Sequence, residues 1–301
     1  MLRNPRRRGA LVLAAALLAG CGGGGDEENV PAQFAYDDSK ALEVAVRPTS
    51  RGTNGVRVDD VSFSGPDNTR LKGFLATPSN TDGPHPAVIY AHGARGNRQE
   101  LLDQAMRMAQ EGAVALTLTM IYSPERARPF PRGLEGVRAN SKLEADAVRE
   151  VRRSVDFLQS LDSVSEDEIG YVGWSQGART GALVSGVEPR IKAFDLLAGG
   201  AAPVSVYVEN APGGLHDELT TILERSDPLH FVALAEPSEL LFQNGRQDEI
   251  VPQAALEALA EAGSEPKDVR WYQAGHVPSA RMWTESRTWL SDRLGLTEAP
   301  T

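Results

Sequence analysis

Gly173-Trp174-Ser175-Gln176-Gly177 decides how this chain is read. An apolar run, Ile169-Gly170-Tyr171-Val172, precedes it, and a stretch rich in small residues, 178–187, follows. The pattern is strand, tight turn, helix. So sharp a turn forces the serine into a strained backbone conformation and lifts its Oγ clear of the sheet edge, forming a nucleophile elbow. Each glycine position faces a neighbouring strand or helix, so a side chain there would collide. In a chain with 29 glycines the pattern also arises by chance. Its weight rests on three companions: a buried strand just before it, a backbone-donor loop upstream, and an acid followed by a histidine downstream.

Outward from the motif, the chain alternates strands and helices. Residues 86–91 are a continuous apolar run, as expected of a strand buried on both faces, ending at His92-Gly93-Ala94-Arg95-Gly96-Asn97. Residues 98–112 have helical spacing, with Leu101, Leu102, Met106 and Ala109 on one face. A strand over 113–120 follows, then a helix over 141–161 with Leu143, Ala147, Val151, Val155 and Leu158 inward. Further strands are expected at 169–174, 191–198, 239–243 and 269–273, and further helices at 253–262 and 279–294. Ahead of all these, 56–64 and 71–76 alternate polar and apolar residues around Gly65-Pro66-Asp67-Asn68, the pattern of an antiparallel hairpin at a sheet edge. Strands alternating with helices make parallel βαβ units. The expected fold class is α/β: an open, mostly parallel, twisted sheet with helices on both faces and an N-terminal antiparallel hairpin. Ligands then bind at the carboxyl ends of the strands. One domain, residues 36–297, accounts for it.

Two candidates complete the motif. Asp248, in Asn244-Gly245-Arg246-Gln247-Asp248-Glu249-Ile250-Val251-Pro252, follows a buried strand. Taken alone it reads as a cap for the helix that starts near Pro252. His276, in Gly275-His276-Val277-Pro278, follows the last strand. The chain order Ser175, Asp248, His276 is that of hydrolases built on such a sheet, and not that of the chymotrypsin or subtilisin types. The loop His92-Gly93-Ala94 sits where one oxyanion-hole amide is supplied, by Ala94, and Gln176 supplies the other. His92 reads as structural.

These pieces together resemble the α/β-hydrolase fold, in the dienelactone-hydrolase-like and acyl-peptidase-like serine esterase branch. The matching residues are His92-Gly93, Gly173 to Gly177, Gly245 to Pro252 and Gly275-His276. The resemblance covers about residues 56–295. It implies cleavage of carboxylic esters through an acyl-enzyme, with Ser175 as nucleophile, His276 as base and Asp248 orienting the imidazole. Dienelactone hydrolases proper use a cysteine nucleophile, whereas the single cysteine here is Cys21. The glycine run after His92 is shorter than in many lipases. Peptidase or thioesterase chemistry would use the same triad. A surface-anchored binding protein on a hydrolase scaffold is the reading from another class.

Composition is consistent with one sizeable core: 301 residues, 41% apolar and 24% charged. The formal charge is -10, with 31 basic against 41 acidic residues. Four of those arginines fall within the first eight residues, so the body is more acidic still. That excludes a nucleic-acid binder, which needs a basic face. No metal spacing, phosphate-binding loop or dinucleotide fingerprint is present, so neither metal nor cofactor is expected. The partners expected are a small ester substrate and a membrane, with no obligate protein partner.

The start of the chain carries an export pattern. Arg3 and Arg6 to Arg8 precede an apolar run, 10–19, too short to span a bilayer. Leu18-Ala19-Gly20-Cys21 then resembles the lipobox of bacterial lipoproteins. This implies a signal peptide over 1–20, cleavage before Cys21, its acylation, and attachment to a membrane of the cell envelope. Residues 21–35 read as a flexible tether. Two insertions remain. Residues 122–140 are Pro-rich and carry Arg126, Arg128, Arg132 and Arg138, either a rim attracting anionic substrates or a solvated loop paired with Glu125 and Glu135. Residues 199–234 fall where this fold carries its cap, with 201–234 as the cap segment and Leu215, Leu219, Ile222 and Leu223 as one apolar face. Asp227-Pro228-Leu229-His230 reads as structural.

Overall fold

The computed structural model describes residues 30–79, 83–126, 129 and 131–296. The leader, Cys21, Arg128 and residue 297 lie outside them. Nine strands among the described residues form one sheet: β1 (Ala45–Pro48), β2 (Val56–Ser64), β3 (Arg70–Pro78), β4 (His85–Ala91), β5 (Val114–Leu118), β6 (Val164–Trp174), β7 (Ile191–Leu197), β8 (Glu239–Gly245) and β9 (Lys267–Tyr272). Their spatial order is β1-β2-β3-β5-β4-β6-β7-β8-β9. From β5 to β9 the pairings are parallel, and β1, β2, β3 and β5 pair antiparallel. The expected hairpin is β2 with β3. It is not the sheet's edge, because β1 adds a further, exposed strand outside it.

The helices are α1 (Leu102–Gln110), α2 (Leu134–Gln159), α3 (Gln176–Ser185), α4 (Val204–Glu209), α5 (His216–Glu224), α6 (Pro228–Val232), α7 (Gln253–Ala262) and α8 (Ala280–Arg293). They cover both sheet faces, and each face has its own core. One core joins β-strand residues such as Ile89, Leu116 and Phe242 to Val151 and Leu158 of α2, Leu183 of α3 and Leu259 of α7. The other joins Val88, Val172 and Leu241 to Met108 of α1 and to Met282, Trp289 and Leu290 of α8. The continuous apolar runs of β4 and β5 follow from this, since successive residues of one strand point into opposite cores.

The chain leaves β4 toward β5 on one side and later returns to place β6 on the other. This reversal opens a crevice at the carboxyl ends of β4 and β6. Register fixes what meets there: Ala91 lies beside Gly173, so the loop after β4 runs next to the turn after β6.

Helix α2 begins seven residues ahead of the expected start, at Leu134, so the second half of the 122–140 insertion is helical. Packing also starts ahead of residue 36. Phe34, within a 3-10 turn over Ala32–Phe34, is fully buried and meets Phe231 edge-on at 5.1 Å. Residues 201–234 form α4, α5 and α6, with Leu219 and Ile222 buried and Leu215 and Leu223 half-buried. Among the described residues no helix is long and apolar enough to cross a membrane.

Candidate functional site

Ser175 sits between β6 and α3 with φ 57° and ψ -113°. That left-handed conformation strains any residue with a Cβ, at a cost of about 1–3 kcal/mol, and persists only where the surroundings dictate it. The surroundings are tight. A Cβ on Gly173 would run into the backbone of Gly177, and one on Gly177 into the carbonyl of Ala91. Tyr171 closes the turn from below by donating its hydroxyl to the Gly177 carbonyl at 2.7 Å.

The loops after β8 and β9 run side by side. Gly245 pairs with Tyr272, Arg246 N donates to Tyr272 O at 2.9 Å, and Gln247 N to Ala274 O at 3.0 Å. This brings Asp248 to His276. Asp248 Oδ2 lies 2.8 Å from His276 Nδ1, and His276 Nε2 lies 2.9 Å from Ser175 Oγ. An ionised carboxylate only accepts, so Nδ1 carries the hydrogen and Nε2 is free to accept from the serine. The other carboxylate oxygen, Oδ1, takes the N–H groups of Ile250 and Val251 at 2.8 and 2.9 Å. The Asp248 side chain is 1% exposed and that of His276 15%. The acid is thus withdrawn from water while the base reaches the crevice. Asp248 does not cap the next helix, whose N-cap is Pro252 with no side-chain cap; one of its oxygens holds two loop amides ahead of that helix and the other holds the imidazole.

The loop after β4 is clamped at Gly93. His92 Nε2 accepts the Met120 N–H at 3.1 Å, so its Nδ1 carries a hydrogen and donates to the Gly93 carbonyl at 2.6 Å. Burial pushes the His92 pKa down to about 4, which keeps the ring neutral in this role. Glu100 Oε2 accepts the Gly93 N–H at 3.0 Å. Both polar groups of Gly93 are therefore engaged within the loop. Gln176 is the first residue of α3, where an N–H has no intrahelical acceptor. His92 is structural, as expected.

Three contacts were not foreseen. Glu100 has no motif around it and becomes visible only when the loop closes on it. The Trp174 indole donates to the His276 carbonyl at 3.0 Å, tying the histidine loop to the elbow. Arg126 turns inward, with Nη2 at 2.5 Å from Glu150, which is 2% exposed. It therefore cannot form an anion-attracting rim, and Glu125 pairs instead with Asn97. Arg138 lies 4.0 Å from Glu135, as expected of the solvated loop, and also reaches across to Glu218 of α5. Asp227 caps α6 through Leu229 N at 3.0 Å, a structural role. Among the described residues no group of three or more His, Cys, Asp or Glu side chains could hold a metal ion.

A hydrogen-bonded serine, histidine and aspartate at the carboxyl edge of such a sheet define the α/β-hydrolase class. Within it, the model of the dienelactone hydrolase family matches residues 71–277, and the chain belongs to that family. A Synechocystis sp. protein provisionally named carboxymethylenebutenolidase is 30% identical over 117 residues, which are 36% of this chain and 46% of that protein. The chain thus spans about half the length of that curated relative. Two solved structures share the fold. The acetyl xylan esterase from Paenibacillus sp. R4 superposes with a TM-score of 0.71 at 21% identity, covering 85% of this chain and 90% of that one. Acetyl xylan esterase 1 from Thermoanaerobacterium sp. JW/SL YS485 gives 0.72 at 18%, covering 88% and 92%.

Proposed function

We propose that the protein hydrolyses carboxylic esters through an acyl-enzyme intermediate. The observation that carries this reading is the unbroken run from Ser175 Oγ through His276 to Asp248, at 2.9 and 2.8 Å. His276 takes the serine proton as Oγ attacks the acyl carbon. Asp248 holds the imidazole in the tautomer that can accept this proton and stabilises the imidazolium that forms. The amides of Ala94 and Gln176 meet the developing oxyanion. His276 returns the proton to the departing alcohol, and water activated by the same base then releases the acid. The esterases among its structural neighbours favour an ester over an amide or thioester.

Ser175→Ala should lower kcat on p-nitrophenyl acetate by at least about a thousandfold. A fluorophosphonate probe should label the parent and not that variant. An unlabelled parent would leave a non-catalytic binding protein as the better reading. We further propose that Cys21 is acylated and holds the protein on an envelope membrane. One chain anchors weakly, and two or more anchor stably. Cys21→Ser should move the protein from the membrane to the soluble fraction; unchanged partition would rule the anchor out.

A further inference from the structure

A cavity of about 320 Å³ opens beside the residue that follows Ser175. Its first wall is the opening turn of α3, where Gln176 and Arg179 lie three residues apart on one helical face. The second is α2 at Asn140, Ser141 and Glu144. The third comes from the 201–234 segment, including Tyr207, Ser226 and Asp227. The volume is at the small end for ligand sites, suited to one ring-sized group rather than a long chain.

The charges on these walls select what enters. Glu144 is 4% exposed; it accepts Arg179 Nε at 2.8 Å and the Ser226 hydroxyl at 2.8 Å. Asp227 gives one oxygen to Leu229 N. An incoming anion would face these two carboxylates, and a cation would face Arg179. Arg179 Nη1 makes only a long contact, 3.5 Å, to the Gly200 carbonyl among the described residues, so its terminal N–H groups remain available as donors. The Ser141 hydroxyl is already engaged, donating to the Ile222 carbonyl at 3.2 Å, whereas the side-chain amides of Asn140 and Gln176 can both donate and accept. A neutral group with the same dual character satisfies them. An apolar ring would bury them without partners, which costs about 1–3 kcal/mol each. Tyr207, 49% exposed, also lines the cavity.

We propose that this cavity receives the hydroxyl-rich alcohol portion of the substrate, so that the natural ester is an acyl group carried on a sugar ring. The inference rests on Ser175 being the ester-cleaving nucleophile. Two acetyl esters with the same acyl group and different rings test it: methyl 6-O-acetyl-glucopyranoside and cyclohexylmethyl acetate. The mature protein should favour the sugar ester at least tenfold in kcat/KM. Asn140→Leu and Tyr207→Ala, both at exposed positions, should each reduce that ratio at least threefold. A ratio near one, or one that neither variant moves, overturns the proposal while leaving the esterase reading intact. If neither ester is turned over and Ser175 resists the fluorophosphonate, the esterase reading itself fails. Saturation-transfer NMR of the same acetyl glucoside on Ser175→Ala then decides the cavity. Saturable binding weakened by Asn140→Leu supports it, and no binding refutes it.

Discussion

Both oxygens of Asp248 are committed, one to two backbone N–H groups and one to His276. An amide cannot serve both, because its nitrogen must face one set of donors. Asp248→Asn should therefore present a donor to Nδ1 or release the loop. The expected result is a fall in kcat of about 10³–10⁴ on p-nitrophenyl acetate with little change in KM. A loss below tenfold in a folded variant would remove Asp248 from the mechanism. Glu100 acts at one remove. Among the described residues its carboxylate accepts the Gly93 N–H, and burial raises its pKa while that hydrogen bond lowers it. Glu100→Ala should lower kcat about tenfold, with Glu100→Gln recovering most of it, since Gln keeps an acceptor. A change confined to KM would show that the loop is held by other means. Ser175, Asp248 and His276 were legible because each follows a strand in a glycine-bearing loop. Glu100 was not, since its partner is fixed by how the loop folds back.

At the scale of elements, β7 carries a buried acid that the proposed reaction does not use. Asp195 is fully buried, and both its oxygens receive Gln243 Nε2 from β8, at 3.1 and 3.0 Å. Burial pushes its pKa up to about 7, against the opposing pull of Ser286, Gln243 and Arg270. An acid whose folded pKa lies above its unfolded value of about 3.9 binds more protons in the native state. Its contribution to stability is full below pH 4 and is lost as pH rises through 7. Asp195→Asn keeps an acceptor for Gln243 and removes the titration. Urea unfolding at pH 5 and pH 8 should show the parent losing stability relative to this variant, by an amount on the order of a few kcal/mol. Parallel curves would show that Asp195 stays ionised or neutral throughout. Element boundaries were legible where burial is one-sided and regular, as in α7, whose bounds match the expectation. They were not legible in α2, because residues 134–140 include Gly136 and little apolar spacing. Strand β6 starts five residues early because its first half, Ser165 to Glu168, faces water and lacks an apolar signature.

On the scale of the whole molecule, the segment from Val30 to Lys40 is strapped along α2 by two buried arginines. Arg152 donates to the Phe34 carbonyl at 2.9 Å, and its guanidinium lies 5.1 Å from the Tyr36 ring centre. Arg153 donates to the carbonyls of Asp38 and Lys40. The Tyr36 hydroxyl donates to Asp156 at 2.7 Å. Composition hid this: the strap's partners are backbone carbonyls, to which any residue type contributes, and the apolar residues from Val30 to Tyr36 follow neither a helix nor a strand period. The strap makes residues 30–35, expected to belong to the flexible tether, part of the fold. Phe34→Ala should then empty a site shared with Phe231 and cost about 3–5 kcal/mol. Lys40→Ala keeps its carbonyl and should change stability by less than about 0.5 kcal/mol. Equilibrium urea unfolding of both variants separates the two cases. A Phe34→Ala protein as stable as the parent would mean that the strap only lies on the domain, and that α2 and α6 hold without it.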